Sequence, residues 1–300
     1  MQPRTPGFIV PMSFLATLPL PPGCAWADAL VGHADSRQTD TELPFSTNEN
    51  SLMQTIEHLG QFDVIELRRY TTTEGQRQNF ATYFESFFPE AFEQLGAMVL
   101  GSFGERGSDT RFTWLRGFHD INARAIVNAA FYYGPLWKEH RNTVNSILPD
   151  SDNVLLLRPL DATRRVMLLP AVDPVNESSG AQGVVVMQIF AIKDGAVDAF
   201  AQQAETVFAR YRCAGVREAG VLVTLDVPNN FPQLPFRTDG PYLVWLGLLK
   251  DDRALKNEFD SLEQSNRKFF ADTGLLRSEP ELVVMDPTRR SRLRWFNDWQ

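Results

Sequence analysis

Two short stretches of the chain, FTWLRGFHD (Phe112–Asp120) and LVWLGLLKD (Leu243–Asp251), carry the same pattern. In the first stretch Trp114 lies in an apolar run, and Asp120 follows six positions later; the second stretch repeats both residue types at the same spacing. An aspartate directly after an apolar run suits the N-cap of a following helix. Each stretch therefore predicts a strand that leads into a capped helix, and the pair predicts an internal repeat.

Outward from these stretches, each half of the chain shows the same order of elements. The first half has a strand from Val64 to Tyr70, a turn at Gly75, an amphipathic helix, two strands, a helical region and the closing strand NVLLLRP. The second half has the strand VVVMQIFAI, a turn at Gly195, a helix, two strands around a long proline-rich loop, a helix and the strand ELVVMDP. This order is the split βαβ arrangement of ferredoxin-like domains.

The tandem arrangement has a physical reason. A ferredoxin-like sheet carries helices on one face only, so its other face must be covered. Two such units in one chain can pack sheet to sheet. The sequence therefore predicts an α+β fold in which two ferredoxin-like repeats in tandem close an α/β barrel of the dimeric type within one chain.

The predicted organisation has five parts. They are a poorly ordered N-terminal extension (1–60), a first ferredoxin-like domain (61–161), a linker (162–182), a second, diverged ferredoxin-like domain (183–287) and a basic and aromatic tail (288–300). Met53 is a sensible alternative start. The tail is expected to pack as a strap on its own or a neighbouring subunit, with contact to an acidic membrane or partner as the alternative.

Composition excludes several classes of protein. The net charge of −8 and a pI near 5.1 argue against nucleic-acid binding, and no stretch is apolar enough for an integral membrane span. The two cysteines, Cys24 and Cys213, exclude a disulfide framework and predict reduced thiols in a cytoplasmic protein. The first 29 residues resemble a secretory signal, but four prolines from Pro11 to Pro22 break the apolar core, so export is the alternative.

Four segments of the first half together resemble the NIPSNAP domain, a branch of the dimeric α/β-barrel superfamily. They are VIELRRYTTTEGQ, RFTWLRGFHDINAR, FYYGPLWKEHRN and DNVLLLRP, and the resemblance runs from Asp63 to Leu160. The second half resembles the same fold but lacks the YGPLWKEHRN segment. The resemblance implies the fold more firmly than a function, because NIPSNAP proteins have no established catalytic mechanism and superfamily relatives include cofactor-free monooxygenases and haem proteins such as chlorite dismutase.

Strand alternation brings several polar side chains to one face of the first sheet. Glu66, Arg68 and Tyr70 share a face of the first strand, and Trp114 and Arg116 share a face of a strand expected beside it. One interpretation is a structural ion pair between Arg116 and Glu66. The other is that Arg116 and Arg68 anchor an anionic or carbonyl ligand in a cavity between sheet and helices.

A second group of candidates lies at the start of the helix that follows Pro135. Trp137, His140 and Arg141 fall on one face at helical spacing, beside Tyr132 and Tyr133. Such a face could present a general base, with His140 as the best catalytic candidate, and a cation to a bound aromatic substrate. The alternative is that the tryptophan is core, the histidine bonds a neighbouring carbonyl and the arginine is solvated.

The sequence offers no metal-ligand spacing, no glycine-rich phosphate loop and no nucleophile elbow. We therefore predict no metal and no cofactor. Haem is disfavoured because all four histidines precede the second repeat, where tandem haem relatives carry their axial ligand, although ligation through His140 stays open.

Two functions remain. The first is a NIPSNAP-like protein with a non-catalytic role in binding a small hydrophobic or aromatic molecule or in protein interaction, with a homodimer expected. The alternative is a cofactor-independent monooxygenase or isomerase-like enzyme for a small aromatic or carbonyl substrate. The enzyme requires a pocket in the first repeat into which His140 or Arg116 points.

Overall fold

The structure is a computed structural model and describes residues 61–296 of the 300-residue chain. The predictions for residues 1–60, including the leader and the alternative start at Met53, lie outside the described residues. The same holds for the last four residues of the tail.

Eight antiparallel strands close into a barrel. They are β1 (Val64–Thr71), β2 (Ala97–Glu105), β3 (Arg111–Phe118), β4 (Asp150–Pro159), β5 (Val184–Ala191), β6 (Arg217–Thr224), β7 (Tyr242–Leu249) and β8 (Glu281–Pro287). The order around the barrel is β1-β3-β2-β8-β5-β7-β6-β4. The first four strands form repeat one and the last four form repeat two, and the pairs β2–β8 and β4–β6 join the repeats. The predicted fold is confirmed.

The helices lie between the strands, as the repeat predicts. They are α1 (Arg77–Phe87), α2 (Pro89–Gln94), α3 (Ile121–Tyr132), α4 (Pro135–Ile147), α5 (Val197–Cys213), α6 (Asp252–Ala254), a π-helical segment (Leu255–Asp260) and α7 (Ser261–Asp272). The Asp120 carboxylate accepts a hydrogen bond from the Ala123 amide at 2.7 Å, and Asp251 caps the equivalent helix through Ala254 at 2.9 Å. Both predicted N-caps are present. Among the described residues no helix has the length and apolar character needed to cross a membrane.

One helix differs from its prediction. The spacing of aromatic residues predicts a single helix with one apolar stripe from Phe80 to Leu95, whereas the chain forms α1 and α2 with a break before Pro89. Proline has no amide hydrogen and its ring clashes with the preceding turn. Phe87 and Leu95 lie outside the buried stripe and are 39% and 38% exposed.

Strand alternation divides the core into an inner and two outer layers. Ile65 and Leu67 of β1 point into the barrel, where they meet apolar side chains of both repeats, including Met187 and Leu246. The opposite face of each sheet packs against the helices of its own repeat. Because Glu66 is offset by one residue from Ile65 and Leu67, its strand face is turned toward the helices.

The C-terminal tail packs on its own chain. Leu293 is fully buried in the barrel core, and its amide donates to the Leu100 carbonyl at 2.9 Å. The Arg294 side chain is also buried and pairs with Glu177 at 2.6 Å. The expected homodimer would pair through free sheet edges or through this tail. Among the described strands, barrel closure pairs the sheet edges with each other. The tail is bound by its own chain. The homodimer therefore stays a prediction.

One expectation drawn from composition is corrected. Cys213, the last residue of α5, is disulfide-bonded, so the prediction of a reduced thiol is wrong at this position. The compartment of the protein stays a prediction.

Candidate functional site

A buried cluster of charges lies between the sheet of repeat one and its helices. The Glu66 Oε2 accepts hydrogen bonds from Arg68 Nη1 at 2.8 Å and from Arg116 Nε and Nη2 at 2.9 and 2.6 Å. Its Oε1 accepts from Arg124 Nε at 2.6 Å. At most 3% of any of these four side chains is exposed. This set, called the Glu66 cluster below, places three guanidinium groups around one carboxylate, and the predicted ion pair between Arg116 and Glu66 is part of it.

The local sequence explains how the cluster forms. Glu66 pairs with Arg116 in the β1–β3 register, which brings their side chains to the same face. Arg124 comes from α3, on a buried stripe with Val127, Asn128 and Phe131 at spacings of three and four residues. Because that stripe faces the sheet, it brings a third guanidinium group over the carboxylate.

Electrostatics keep the Glu66 cluster charged. Burial alone would raise the pKa of Glu66, but the guanidinium groups of Arg116, Arg68 and Arg124 hold that pKa well below its usual range. Burial also raises the pKa of the Tyr70 hydroxyl, against the opposing effect of Arg68. Near neutral pH the carboxylate is therefore ionised and the phenol protonated, so the cluster carries a surplus of positive charge.

Aromatic rings surround the Arg116 guanidinium. Its central carbon lies 4.7 Å from the Phe92 ring centre, 5.1 Å from that of Phe118 and 5.3 Å from that of Trp114. The negative faces of aromatic rings stabilise such a cation. Arg116 is thus held behind a wall of rings.

In front of that wall is a cavity of about 340 Å³, called the repeat-one cavity below. Its lining is mostly aromatic. The lining residues are Arg68, Tyr70, Phe80, Phe84, Phe88, Phe92, Trp114, Phe131, Tyr132, Tyr133, Trp137, Val144, Asn145, Leu148, Ser151, Phe231, Gln233 and Leu234. Arg68 is the charged residue among them. Within the described part of the chain, no carboxylate, histidine or cysteine lines the repeat-one cavity.

One wall of the repeat-one cavity comes from the other repeat. Phe231 and Leu234 belong to the loop of residues 225–241, between β6 and β7. Arg124 Nη1 donates to the side-chain oxygens of Asn229 and Asn230 at 3.1 and 2.9 Å, and the Asn229 amide group donates to the Leu234 carbonyl at 3.0 Å. This segment, called the capping loop below, is therefore tied to the Glu66 cluster, and both repeats build the site.

The ten residues predicted for the site fall into three groups. Arg68, Tyr70, Trp114, Tyr132, Tyr133 and Trp137 line the repeat-one cavity; Glu66 and Arg116 lie behind its wall; His140 and Arg141 do not line it. Arg141 is exposed on the outside of α4. The strand and aromatic candidates thus meet at one place, whereas the histidine and the neighbouring arginine lie apart from it.

His140 makes contacts of its own. Its Nδ1 lies 2.5 Å from the Tyr83 hydroxyl of α1, and its ring lies 4.2 Å from that of Phe87. The partner is a phenol rather than the carbonyl expected from the sequence. As His140 does not line the repeat-one cavity, it is not placed to act as a base there. No histidine, cysteine or methionine among the described residues lines the cavity, so its lining does not fit an axial haem ligand of those types.

Sequence reasoning missed Arg124 and the capping loop. The buried stripe of α3 at helical spacing could have identified Arg124, because it shares that stripe with Val127 and Phe131. The capping loop gave no local signal, since its contacts join residues more than a hundred positions apart.

Repeat two has apolar or neutral residues where repeat one has the Glu66 cluster. In the equivalent strand register Val186 faces Gly247, as Glu66 faces Arg116. Gln188 and Leu255 stand at the positions equivalent to Arg68 and Arg124. The five equivalent pairs are Glu66 and Val186, Arg68 and Gln188, Tyr70 and Phe190, Arg116 and Gly247, and Arg124 and Leu255. A β-carbon at position 247 would lie 2.4 Å from the Trp245 ring, so this side of repeat two is filled by a tryptophan.

No protein-family model matches the chain, and no curated protein matches it. Several solved structures match the chain. A candidate monooxygenase from Fusobacterium nucleatum subsp. nucleatum is similar over 78% of this chain and 96% of its own, with 9% identity and a TM-score of 0.51. An anthrone oxidase-like protein is similar over 80% of this chain and 98% of its own, with 14% identity and a TM-score of 0.50. At these identities the likeness shows the fold.

The fold is that of the dimeric α/β barrels. Here two ferredoxin-like repeats of a single chain form the barrel, in line with the prediction. The closer resemblance to the NIPSNAP domain has no matching family model and stays a prediction.

Proposed function

We propose that this chain is a NIPSNAP-like protein that binds a small aromatic molecule in the repeat-one cavity without transforming it. The observation that carries the proposal is the cavity itself. Its volume of about 340 Å³ falls at the lower end of the range for small-molecule sites, roughly 300–1,000 Å³. A largely aromatic lining favours flat, apolar ligands, which stack on rings or meet their edges.

The cavity walls come from separate elements, which supports a site for a ligand rather than a packing defect in one helix. Trp114 of β3 meets Phe84 of α1 with ring centres 4.9 Å apart, and Trp137 of α4 meets Tyr132 at 5.0 Å. Phe231 of the capping loop completes the enclosure. A ligand would thus contact sheet, helices and loop together.

The NIPSNAP-like assignment rests on where the resembling segments meet. VIELRRY supplies Arg68 and Tyr70, RFTWLRGF supplies Trp114, and FYYGPLW supplies Tyr132 and Trp137. Three of the four quoted segments therefore contribute to one cavity, which supports a ligand-binding role for the residues that carry the resemblance.

Oxygenation of a bound aromatic molecule is the second candidate. It is favoured by the same cavity and by the two structural neighbours described as a monooxygenase and as anthrone oxidase-like. We rank it second because no carboxylate or histidine of the described residues lines the cavity to remove a proton. Oxygen uptake with anthrone separates the two, since anthrone and O₂ give anthraquinone and water. Binding alone predicts uptake at the spontaneous rate, and acceleration by the protein would favour the enzyme.

Calorimetric titration with 2-naphthamide, a neutral bicyclic probe, tests the proposed function. The wild-type chain should bind one equivalent. Leu234→Trp, which places a bulky ring at the cavity wall, should weaken binding at least tenfold. Val175→Trp adds the same ring at a position 81% exposed and outside the lining, and it should bind like the wild type. Equal affinity in all three proteins, or failure of the wild type to bind both this probe and its carboxylate analogue 2-naphthoate, would contradict a ligand site in this cavity.

A further inference from the structure

We propose that the ligand of the repeat-one cavity carries an oxyanion, as an aromatic carboxylate or phenolate does, and that Arg68 binds it. This inference rests on the proposed function and adds the charge of the ligand to it. Three observations support it: an excess of buried cations, an excess of buried donors, and the different composition of the same position in repeat two.

The first observation is the charge of the Glu66 cluster. Three guanidinium groups share one carboxylate, and all four side chains are buried. Two other carboxylates of repeat one have cations of their own: Glu105 pairs with Arg69, on the barrel-facing side of the sheet, and Glu93 pairs with Arg292. A buried cation without a counter-charge is costly, so an anion at this place is favoured.

The second observation is the set of hydrogen-bond donors. The Arg68 Nε donates to the Tyr70 hydroxyl at 2.7 Å and its Nη1 to Glu66, which leaves Nη2 without a hydrogen-bond partner among the described residues. Because the Tyr70 oxygen accepts from Arg68, its own hydrogen is directed elsewhere. Both residues line the cavity and can donate to an oxyanion.

Further donors lie in the shell around these two residues. Among the described residues, four buried nitrogen atoms near the Glu66 cluster have no hydrogen-bond partner, and they are Trp114 Nε1, Arg116 Nη1, Arg124 Nη2 and Asn128 Nδ2. Buried polar atoms are nearly always paired in folded proteins. Of these side chains Trp114 lines the cavity and the others lie behind its wall, where Asn128 Oδ1 is an unpaired acceptor. Donors and positive charge therefore predominate behind the wall, which favours an anion in front of it.

The third observation is the internal comparison between the repeats. The equivalent strand pair of repeat two has Val186 opposite Gly247, where repeat one has Glu66 opposite Arg116. Repeat two thus forms without charges at these strand positions; its own ion cluster, Glu218 of β6 with Arg164 and Arg212, is less buried. Buried ion pairs contribute little to stability compared with apolar packing, so a role in binding accounts better for the Glu66 cluster.

The lining restricts the class of anion. Of the residues that the structure describes, one guanidinium group lines the cavity directly, and most of the remaining surface is aromatic. A phosphate or sulfate ion would leave those rings uncovered and would find a single cation. An aromatic body with one carboxylate or phenolate group satisfies both parts of the site.

Titration of the wild-type chain with 2-naphthoate and with 2-naphthamide at pH 7.5 tests the inference, because the two probes share size and ring but differ in charge. The carboxylate should bind at least tenfold more tightly. In Arg68→Met that affinity ratio should fall below threefold, and in Tyr70→Phe it should fall by a factor of about three. Circular dichroism at the titration temperature identifies which variants are folded.

The outcomes are distinct. A ratio near one in the wild type overturns the oxyanion inference and leaves the proposed binding function intact. Failure of both probes to bind the wild type overturns both. If Arg68→Met does not fold, the affinity ratios of the wild type and of Tyr70→Phe decide. A ratio in Tyr70→Phe equal to that of the wild type counts against the inference.

Discussion

Glu66 and Arg116 lie directly opposite each other on β1 and β3, and the Glu66 carboxylate accepts two hydrogen bonds from the Arg116 guanidinium, at 2.9 and 2.6 Å. In repeat two, Val186 and Gly247 occupy the same register. The same strand pairing therefore forms with this ion pair in repeat one and without it in repeat two. The Glu66 cluster belongs to the site that repeat one has and repeat two lacks.

Replacing Glu66 should destabilise the fold strongly. Glu66→Gln keeps the size of the side chain but leaves three buried guanidinium groups without a counter-charge, and removal of one partner from a buried ion pair costs about 3–5 kcal/mol. Chemical denaturation at pH 7 measures this difference. A loss below about 1 kcal/mol would show that the arginines do not depend on Glu66.

The matched control replaces the whole Glu66 cluster with residues like those of repeat two. The combined variant carries Glu66→Val, Arg68→Gln and Arg124→Leu, which are the residues of repeat two, and Arg116→Met, because the glycine of repeat two would leave a cavity here. We expect it to recover most of the stability lost in Glu66→Gln, because apolar residues of similar volume commonly replace a buried ion cluster without net cost. If the combined variant is less stable than Glu66→Gln, the charges stabilise the fold. Repeat two then does not show that the fold of repeat one can form without them.

Much of the fold follows from local patterns. The repeated Trp–Asp spacing predicts both capped helices, and both caps are present at Asp120 and Asp251. Strand alternation predicts the pairing of Glu66 with Arg116, since a period of two and an adjacent strand are sufficient to bring them together. These predictions succeed because the contacts are set by backbone geometry over a few residues or by one strand pair.

The rest depends on contacts that the sequence does not encode locally. Helical spacing places His140 on the same face as Trp137, yet a helix face is wide enough for one residue to meet the cavity and the other to meet Tyr83 of α1. The capping loop reaches the cavity only because barrel closure brings repeat two beside repeat one. Neither outcome follows from periodicity.

The capping loop should loosen when its anchor is removed. The Asn229 side chain accepts from Arg124 and from the Phe231 amide, and it donates to the Leu234 carbonyl. In Asn229→Ala we expect faster amide hydrogen exchange in residues 231–234 and faster release of 2-naphthamide. Asn176→Ala, at an exposed asparagine outside the cavity lining, is the control and should leave both rates unchanged. Unaltered exchange in Asn229→Ala would contradict the anchoring role.

Buried tyrosine predicts a loss of stability in alkali. Burial raises the pKa of Tyr211 to about 12, whereas an unfolded tyrosine titrates near 10. The stabilising difference is fully present below about pH 10 and is lost as the pH rises toward 12. Between pH 8 and pH 11 the wild type should lose about 1.4 kcal/mol more unfolding free energy than Tyr211→Phe. Parallel pH profiles for the two proteins would contradict the assignment.

The tail should stabilise the barrel through its apolar residue rather than its surface charges. Leu293 is fully buried in the barrel core, and Leu293→Ala should cost about 2–5 kcal/mol. Arg290 pairs with Glu90 at the surface, so Arg290→Ala should cost less than about 1 kcal/mol. Thermal unfolding of both variants checks the order, and equal losses would show that the tail acts through its charges.

A crystal structure of the chain grown with 2-naphthoate tests the central claim most directly. The account predicts the bicyclic ring in the repeat-one cavity between Trp114 and Trp137, with a carboxylate oxygen within hydrogen-bond distance of Arg68. A probe bound elsewhere on the chain, with only water in the repeat-one cavity, would contradict the account.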